Sequence, residues 1–331
     1  MSNLSLTVAC GHYDHMEALS RGIVQPTGID VTYLAHESPP EIFARMIKTN
    51  AFDISEMSLA MYFTLKSKGD FPYIALPVFP CRVFRHSYIY VNREAEIYEP
   101  KDLEGKKIGV QQYRQTAATW VRGILQNEYD VDMSGMTFVE GGVNVSRPPD
   151  EDLDIMPDKK ISISSAPSGK SINDLLINGD VAAYFGARQP DCYKSHDNIV
   201  RLFPDYRKEE RKFFDRTGIF PIMHCLVMSE EMHRQNPWIA ENMVKAFEES
   251  KQWALNRMRF TGTIRYMVPW LNHEIEEVDD MFAKGDPYPM GVEANRATLE
   301  MLMKYLVDQS FVADPAAKVD EMFTRIVGWA E

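Results

Sequence analysis

The chain has 331 residues, 45% of them hydrophobic, with a formal net charge of −12 and a pI near 5.2. That apolar content suffices for one large domain or two smaller ones with buried cores, while the acidic balance excludes nucleic acid and anionic membrane surfaces as partners, since both call for a basic face. Leu4 to Cys10 has no basic region before it and is too short for a signal core, no apolar run approaches the roughly 18 residues of a membrane span, and Cys10, Cys81, Cys192 and Cys225 form no CxxC pair. A cytoplasmic protein with reduced thiols is expected.

Taken in chain order, the first part reads as β–α repeats. Alternation predicts strands over Leu4 to Ala9 and Ile29 to Leu34, with a short helix over Met16 to Arg21 between them. Pro39 and Pro40 open a helix whose apolar face is Ile42, Phe43, Met46 and Ile47. Asp53 to Met57 is a strand, Leu59 to Lys66 a helix, and Tyr73 to Val78 and Tyr88 to Val91 are further strands. A second unit begins near Pro100: Asp102 to Val110 is a turn leading into a strand, and Thr116 caps a helix that buries Trp120, Val121 and Leu125. Ser171 to Leu176 is a helix ended by Asn178-Gly179, and Val181 to Phe185 a buried strand. Ser146 to Lys160, with Pro148, Pro149 and Pro157 among acidic residues, reads as an exposed loop, a lid or an oligomer contact. The last third is mainly helical, with helices starting at Asn236-Pro237, over Leu299 to Val307 and over Val319 to Trp329. Strands alternating with helices predict an α/β architecture with largely parallel sheets covered on both faces.

The runs DLEGKKIGV (from Asp102) and LINGDVAAYFG (from Leu176) resemble the two-lobed type II periplasmic-binding-protein fold. That resemblance implies a mixed, largely parallel sheet flanked by helices in each lobe and a ligand cleft between them. Lobe one would comprise residues 1–93 and 223–331 and lobe two residues 94–222, with crossings near Asn92 to Tyr98 and Pro221 to Leu226.

More specific runs are ACGHYDHMEAL, FDISEMSLAMY, LPVFPCRVFRHSYIYVN, GVQQYRQTAATWVRGILQNEYDV, RLFPDYRKEERKFFDRTGIFPIMH, NPWIAENMVKAF and MGVEANRATLEML. Together they resemble 4,5-dihydroxyphthalate decarboxylases across nearly the whole chain. The resemblance implies a carboxy-lyase that converts 4,5-dihydroxyphthalate to protocatechuate and CO2 in bacterial phthalate breakdown, acting on a small aromatic di- or monocarboxylate. A non-catalytic cytoplasmic solute-binding protein or sensor for an aromatic carboxylate is the alternative. Where the family pattern has Tyr-Asp-Arg this chain has Tyr13-Asp14-His15, and Arg188 is a charge the pattern lacks.

Decarboxylation of such a ring needs a base at the phenol, an acid near the ring carbon, cations for the carboxylate that stays, and poor solvation of the one that leaves. Histidine suits the acid and base roles, and His86 and His224 are the catalytic candidates, with Asp14 as a third. Arg82 and Arg85 offer bidentate forks to a carboxylate, and Arg114 and Arg188 would approach from lobe two. Glu56, Ser58, Gln112, Tyr113 and Thr116 fall at strand ends or helix starts, which face the crevice of an open α/β sheet, and Tyr13 is a candidate for a hydroxyl contact. No cofactor is expected; His12, Asp14 and His15 are the residues that could take a divalent metal, although their spacing is not that of an HExxH helix. A homo-oligomer is the remaining partner expectation.

Overall fold

Period-two alternation and β-branched residues near the start do become strands, and the helices between them bury the faces their apolar spacing predicts. The computed structural model describes residues 3–69, 71–147 and 155–326. Its strands are β1 (Leu4–Gly11), β2 (Ile29–His36), β3 (Ile54–Ser58), β4 (Tyr73–Arg82), β5 (Ile89–Asn92), β6 (Lys107–Val110), β7 (Thr137–Glu140), β8 (Ile163–Ser165), β9 (Ala183–Phe185), β10 (Ile199–Arg201) and β11 (Ile222–Ser229). The helices are α1 (Glu17–Ser20), α2 (Pro39–Thr49), α3 (Leu59–Ser67), α4 (Thr116–Tyr129), α5 (Ile172–Ile177), α6 (Cys192–Ser195), α7 (Tyr206–Thr217), α8 (Glu230–Gln235), α9 (Trp238–Met258), α10 (Leu271–Met281) and α11 (Arg296–Asp308).

Two sheets divide the strands between two lobes. The first has the order β2-β1-β3-β11-β4, with β11 antiparallel to both its neighbours; the second has the order β10-β5-β9-β6-β7-β8, parallel from β9 to β8. All five residues of β3 are buried, as a central strand with both faces covered requires. Helix α2 carries prolines in its first turn, where no N–H is needed, and ends at Asn50 in the left-handed region. Helix α3 is capped by the Ser58 hydroxyl, and α5 by a reciprocal Ser171–Asp174 box.

The first crossing between lobes differs from the expectation at Asn92 to Tyr98. Strand β5 pairs with β9 and β10, so the chain has already entered the second sheet by Ile89 and crosses between Val83 and Tyr88. The resemblance placed the crossing just before Pro100, yet the short apolar run ahead of it belongs to lobe two. The return passes through residues 218–221 into β11. The two crossings lie side by side, with the Val83 amide donating to the Pro221 carbonyl at 3.0 Å.

Helix α4 bridges the lobes. It buries every residue from Thr116 to Leu125, and its Trp120 indole donates to the Ile222 carbonyl at 2.9 Å. It packs on α11 at Gly123, where a Cβ would stand 2.0 Å from the Tyr305 ring, so only glycine allows this approach. The main core is consequently continuous across the lobes, uniting Phe43 and Met57 with Ile108, Trp120 and Phe185.

Two local expectations are corrected. Thr116 is the first residue of α4 rather than its cap, and its hydroxyl serves a neighbouring helix instead. The helix expected over Val319 to Trp329 is a single 3-10 turn at Val319–Glu321, because the chain then leaves to bridge Ala75 of β4 at Phe323; Trp329 lies outside the described residues. Of the loop from Ser146 to Lys160, residues 148–154 also lie outside them, whereas Ile155 is buried and the Asp158 amide donates to Ser310. No described helix is long and apolar enough to cross a membrane.

Candidate active site

The carboxyl ends of β3, β4, β6 and β9 converge where the lobes meet. Strand β11 runs the opposite way, so its first residues rather than its last reach the same rim. Antiparallel register sets His224 opposite Ser58 on one side and Cys81 on the other. Side chains two apart on a strand share a face, which brings Glu56 into line with Ser58 and under His224.

Glu56 is fully buried and collects donors from three directions. Its Oε1 accepts from the Tyr13 hydroxyl at 2.7 Å and from His224 Nδ1 at 2.5 Å; its Oε2 accepts from the Gly11 amide at 2.7 Å and the Cys10 thiol at 3.4 Å. Gly11 is required here, since a Cβ would lie 2.8 Å from the Tyr13 ring that delivers the hydroxyl. Burial works against a charged Glu56, but the His224 cation and these hydrogen bonds outweigh it and hold the carboxyl below its usual range. Burial likewise opposes charge on His224, and the Cys81 sulfur and Glu56 overcome it, raising the imidazole to about 10. His224 is therefore a cation at neutral pH, packed edge-on against Phe43 with ring centroids 5.1 Å apart.

Beside His224 opens a cavity of about 220 Å³ walled by both lobes. Lobe one contributes Pro39, Pro40, Phe43, Ser58, Met61, Cys81 and His224; the crossing contributes Val83 and Arg85; lobe two contributes Gln111, Gln112, Arg114, Gln115, Thr116 and Arg188. The N-termini of α3 and α4 both face it, joined by a 2.8 Å bond between the Ser58 and Thr116 hydroxyls, and the Thr116 oxygen also accepts from the Ala60 amide. Two helix N-termini with arginines around them favour a negative charge at this point. Arg85 is only 3% exposed, donates weakly to the Gly186 carbonyl at 3.4 Å, lies over the Tyr88 ring and leaves Nε unbonded; among the described residues no carboxylate pairs with it. The buried side-chain oxygens of Gln111 and Gln115 also lack hydrogen-bond partners among the described residues.

Of the residues expected from sequence, the structure gathers Ser58, Arg85, Gln112, Arg114, Thr116, Arg188 and His224 around this cavity, with Glu56 and Tyr13 directly behind His224. The others sit elsewhere. His86 is packed among the rings of Tyr129, Phe203 and Phe213 with both nitrogens unbonded, and burial lowers it to about 4, so it is neutral and away from the cleft wall. Arg82 braces the Pro289 carbonyl and Asn295. The Tyr113 ring lies 3.7 Å beneath the Arg122 guanidinium and is core. Asp14 bonds His15 Nδ1 at 3.0 Å, while the other His15 nitrogen meets the Pro80 carbonyl and His12 faces Glu37, so these three do not converge. Among the described residues no three His, Cys, Asp or Glu side chains are grouped to share a metal ion. Sequence reasoning missed Cys81, Gln111 and Gln115; the register of β11 against β4 and the turn after β6 are what bring them in.

Two α/β lobes meeting at a cleft lined by arginines and helix N-termini match the architecture of the periplasmic binding proteins. The solved structures agree: the sulfonate-binding protein SsuA of Methylobacillus flagellatus superposes with a TM-score of 0.55 at 14% identity, covering 98% of this chain and 92% of that one. SsuA of Escherichia coli gives 0.54 at 10%, covering 100% and 95%, and a Candida albicans protein of the generic periplasmic binding protein fold gives 0.51 at 12%, covering 96% and 93%. At such identities they establish the fold alone. No family model matches the chain. Among curated proteins it is 38% identical over 276 residues to the 4,5-dihydroxyphthalate decarboxylase of Comamonas testosteroni, covering 83% of each chain. It is 35% identical over 206 residues to that of Pseudomonas putida, covering 62% of this chain and 79% of the relative. The chain belongs to the 4,5-dihydroxyphthalate decarboxylase family.

Proposed function

We propose that the chain is a carboxy-lyase that removes one carboxylate of 4,5-dihydroxyphthalate, giving protocatechuate and CO2 without net oxidation. The observation that carries this reading is Arg85, a buried guanidinium that faces the cavity and that no carboxylate among the described residues pairs with. An arginine in that position matches a substrate carboxylate, and Arg114 and Arg188 add charge from lobe two. The carboxylate that stays is held at this end. The unbonded oxygens of Gln111 and Gln115 accept from the two ring hydroxyls, which favours electron release into the ring. The leaving carboxylate lies against Pro39, Pro40, Phe43 and Met61, a wall poor in donors because prolines open α2. A carboxylate so poorly solvated is relieved as its charge leaves with CO2. The ring carbon is protonated from the His224 end, where Glu56 holds the imidazole charged.

The same reading needs only this chain's own side chains, without a metal or organic cofactor, and places the enzyme in the cytoplasm, where its four unpaired cysteines would stay reduced. The test is CO2 release and chromatographic detection of protocatechuate from 4,5-dihydroxyphthalate, with and without EDTA, together with fractionation of cells. Product at equal rate in both samples is expected. Ligand recovered unchanged, even with divalent metal restored, would instead favour the binding-protein alternative, which the names of the relatives do not support.

A further inference from the structure

Tyr13, Asp14 and His15, expected from sequence to touch substrate or metal, do not line the cavity. They are tied to the site from behind instead. The Tyr13 hydroxyl donates at 2.7 Å to Glu56 Oε1, the same oxygen that meets His224 Nδ1 at 2.5 Å. The Tyr13 ring has little freedom to leave that oxygen. It lies over Gly11, where a Cβ would stand 2.8 Å away, and stacks on His15 with ring centroids 5.3 Å apart. His15 is in turn fixed by Asp14 at 3.0 Å, by the Pro80 carbonyl at 3.1 Å and by the Tyr288 ring. Burial and the Glu56 charge push the Tyr13 phenol far above its ordinary value, so it keeps its proton and acts only as a donor.

A carboxylate and an imidazole that share one proton in an enclosed place have two arrangements, an ion pair or a neutral acid beside a neutral base, and burial favours the second. Hydrogen bonds to the carboxylate favour the first, because they stabilise its charge. Glu56 Oε2 accepts from the Gly11 amide and the Cys10 thiol; among the described residues, Oε1 receives only Tyr13 besides the imidazole. We propose, on the decarboxylase reading, that Tyr13 is the positioning residue that keeps the shared proton on His224, so that the imidazole meets the ring carbon as a cation. With Nδ1 turned back to Glu56, Nε2 is the nitrogen left for the cavity that His224 lines. Its N–H bond breaks as a C–H bond forms at the carbon bearing the leaving carboxylate, the electron pair coming through the ring from the para oxygen. The C–C bond then breaks, its pair returns to the ring as CO2 departs, and water reprotonates the imidazole, so that one solvent proton replaces one CO2. Of the other titratable groups around the imidazole, Cys81 of β4 lies opposite it in the register, and Cys225, its neighbour on β11, is a buried thiol. Arg85, Arg114 and Arg188 across the cavity are cations and disfavour a charged imidazole, so the carboxylate side has to hold it.

The experiment compares the full-length wild type with Tyr13→Phe, which removes one oxygen and keeps the ring between Gly11 and His15. Nitrogen NMR of histidine-labelled protein at neutral pH reads both ring nitrogens of His224, identified by the loss of their signals in His224→Gln. CO2 release from 4,5-dihydroxyphthalate gives kcat, and calorimetry gives the affinity for phthalate, which lacks the hydroxyls. Both nitrogens of wild-type His224 are expected to carry protons, and Nδ1 in Tyr13→Phe to have given its proton to Glu56 in a measurable share of molecules. The kcat should fall about 10-fold or more, the size of one hydrogen bond to a charged group, with phthalate affinity within about threefold. A neutral His224 in the wild type, an unchanged kcat or imidazole charge in Tyr13→Phe, or a loss of kcat matched by phthalate affinity would each overturn the Tyr13 assignment and leave the decarboxylase reading standing. Absence of CO2 from the wild type would overturn that reading and the part of His224 as donor with it, while the NMR comparison would still report the hold of Tyr13 on the pair.

Discussion

Glu56→Gln keeps the shape of the residue beneath His224 and removes its charge. The substitution is expected to drop the His224 titration from about 10 toward the ordinary imidazole value of 6.5, which imidazole NMR across pH would record. It also removes one partner of a buried ion pair, at a cost of roughly 3–5 kcal/mol. The sign of the pH dependence follows from both partners. His224, raised on folding, stabilises fully below 6.5, and that contribution is lost as pH climbs through about 10; Glu56, lowered on folding, stabilises above 4.5 and less as acid protonates it. The stability gap between wild type and Glu56→Gln is therefore widest between pH 4.5 and 6.5 and narrows on either side, as urea unfolding at several pH values would reveal. His86 behaves differently. Its surroundings are aromatic and its nitrogens unbonded, so His86→Leu should keep kcat within about threefold and stability within about 1 kcal/mol, measured by turnover and thermal unfolding. Arg85 and His224 were legible in the sequence as polar residues in apolar runs. His86 carried the same signature and is core, because composition cannot distinguish a polar atom facing a cleft from one enclosed by rings.

At the level of elements, α4 sets the geometry of the anion site. Its first turn presents Thr116 to Ser58, and its middle seats Gly123 against Tyr305. Gly123→Ala should force α4 away from α11 and destabilise the protein by about 1–3 kcal/mol. Because α4 carries Thr116 and leads directly from Arg114 and Gln115, phthalate affinity should fall as well; thermal unfolding and calorimetry on the same variant would record both effects. The strands with clean alternation, β1 and β2, and the helices opened by proline or closed by Asn-Gly, were readable. Strand β11 was not. Its run from Ile222 to Met228 is apolar with one histidine, which reads equally as a crossover, and only pairing with β3 and β4, far away in sequence, gives it a direction and sets Cys81 beside His224.

For the whole molecule, a net charge of −12 opposes the approach of a dianionic substrate, and the arginines of the cleft act only at short range. Raising ionic strength from about 0.01 to 0.15 M shortens the Debye length from about 30 to 8 Å. It should therefore screen the outer field before it weakens the enclosed contacts, so kcat/KM is expected to rise over that interval in a salt titration of initial rates. The parallel α/β character was foreseeable from alternating strands and helices and the two lobes from the resemblance of the DLEGKKIGV and LINGDVAAYFG runs, but the exact crossing was not, since Ile89 to Asn92 joins the second sheet through partners almost a hundred residues away, near Ala183 and Phe185.

The Val83–Pro221 hydrogen bond ties the two crossings together, and α4 and α11 carry one core across them. A clamshell receptor delivers its cargo by swinging open, and a splinted hinge resists that swing. Small molecules need no such gape: CO2 and a single-ring acid can escape through momentary loosening of side chains at the cleft mouth.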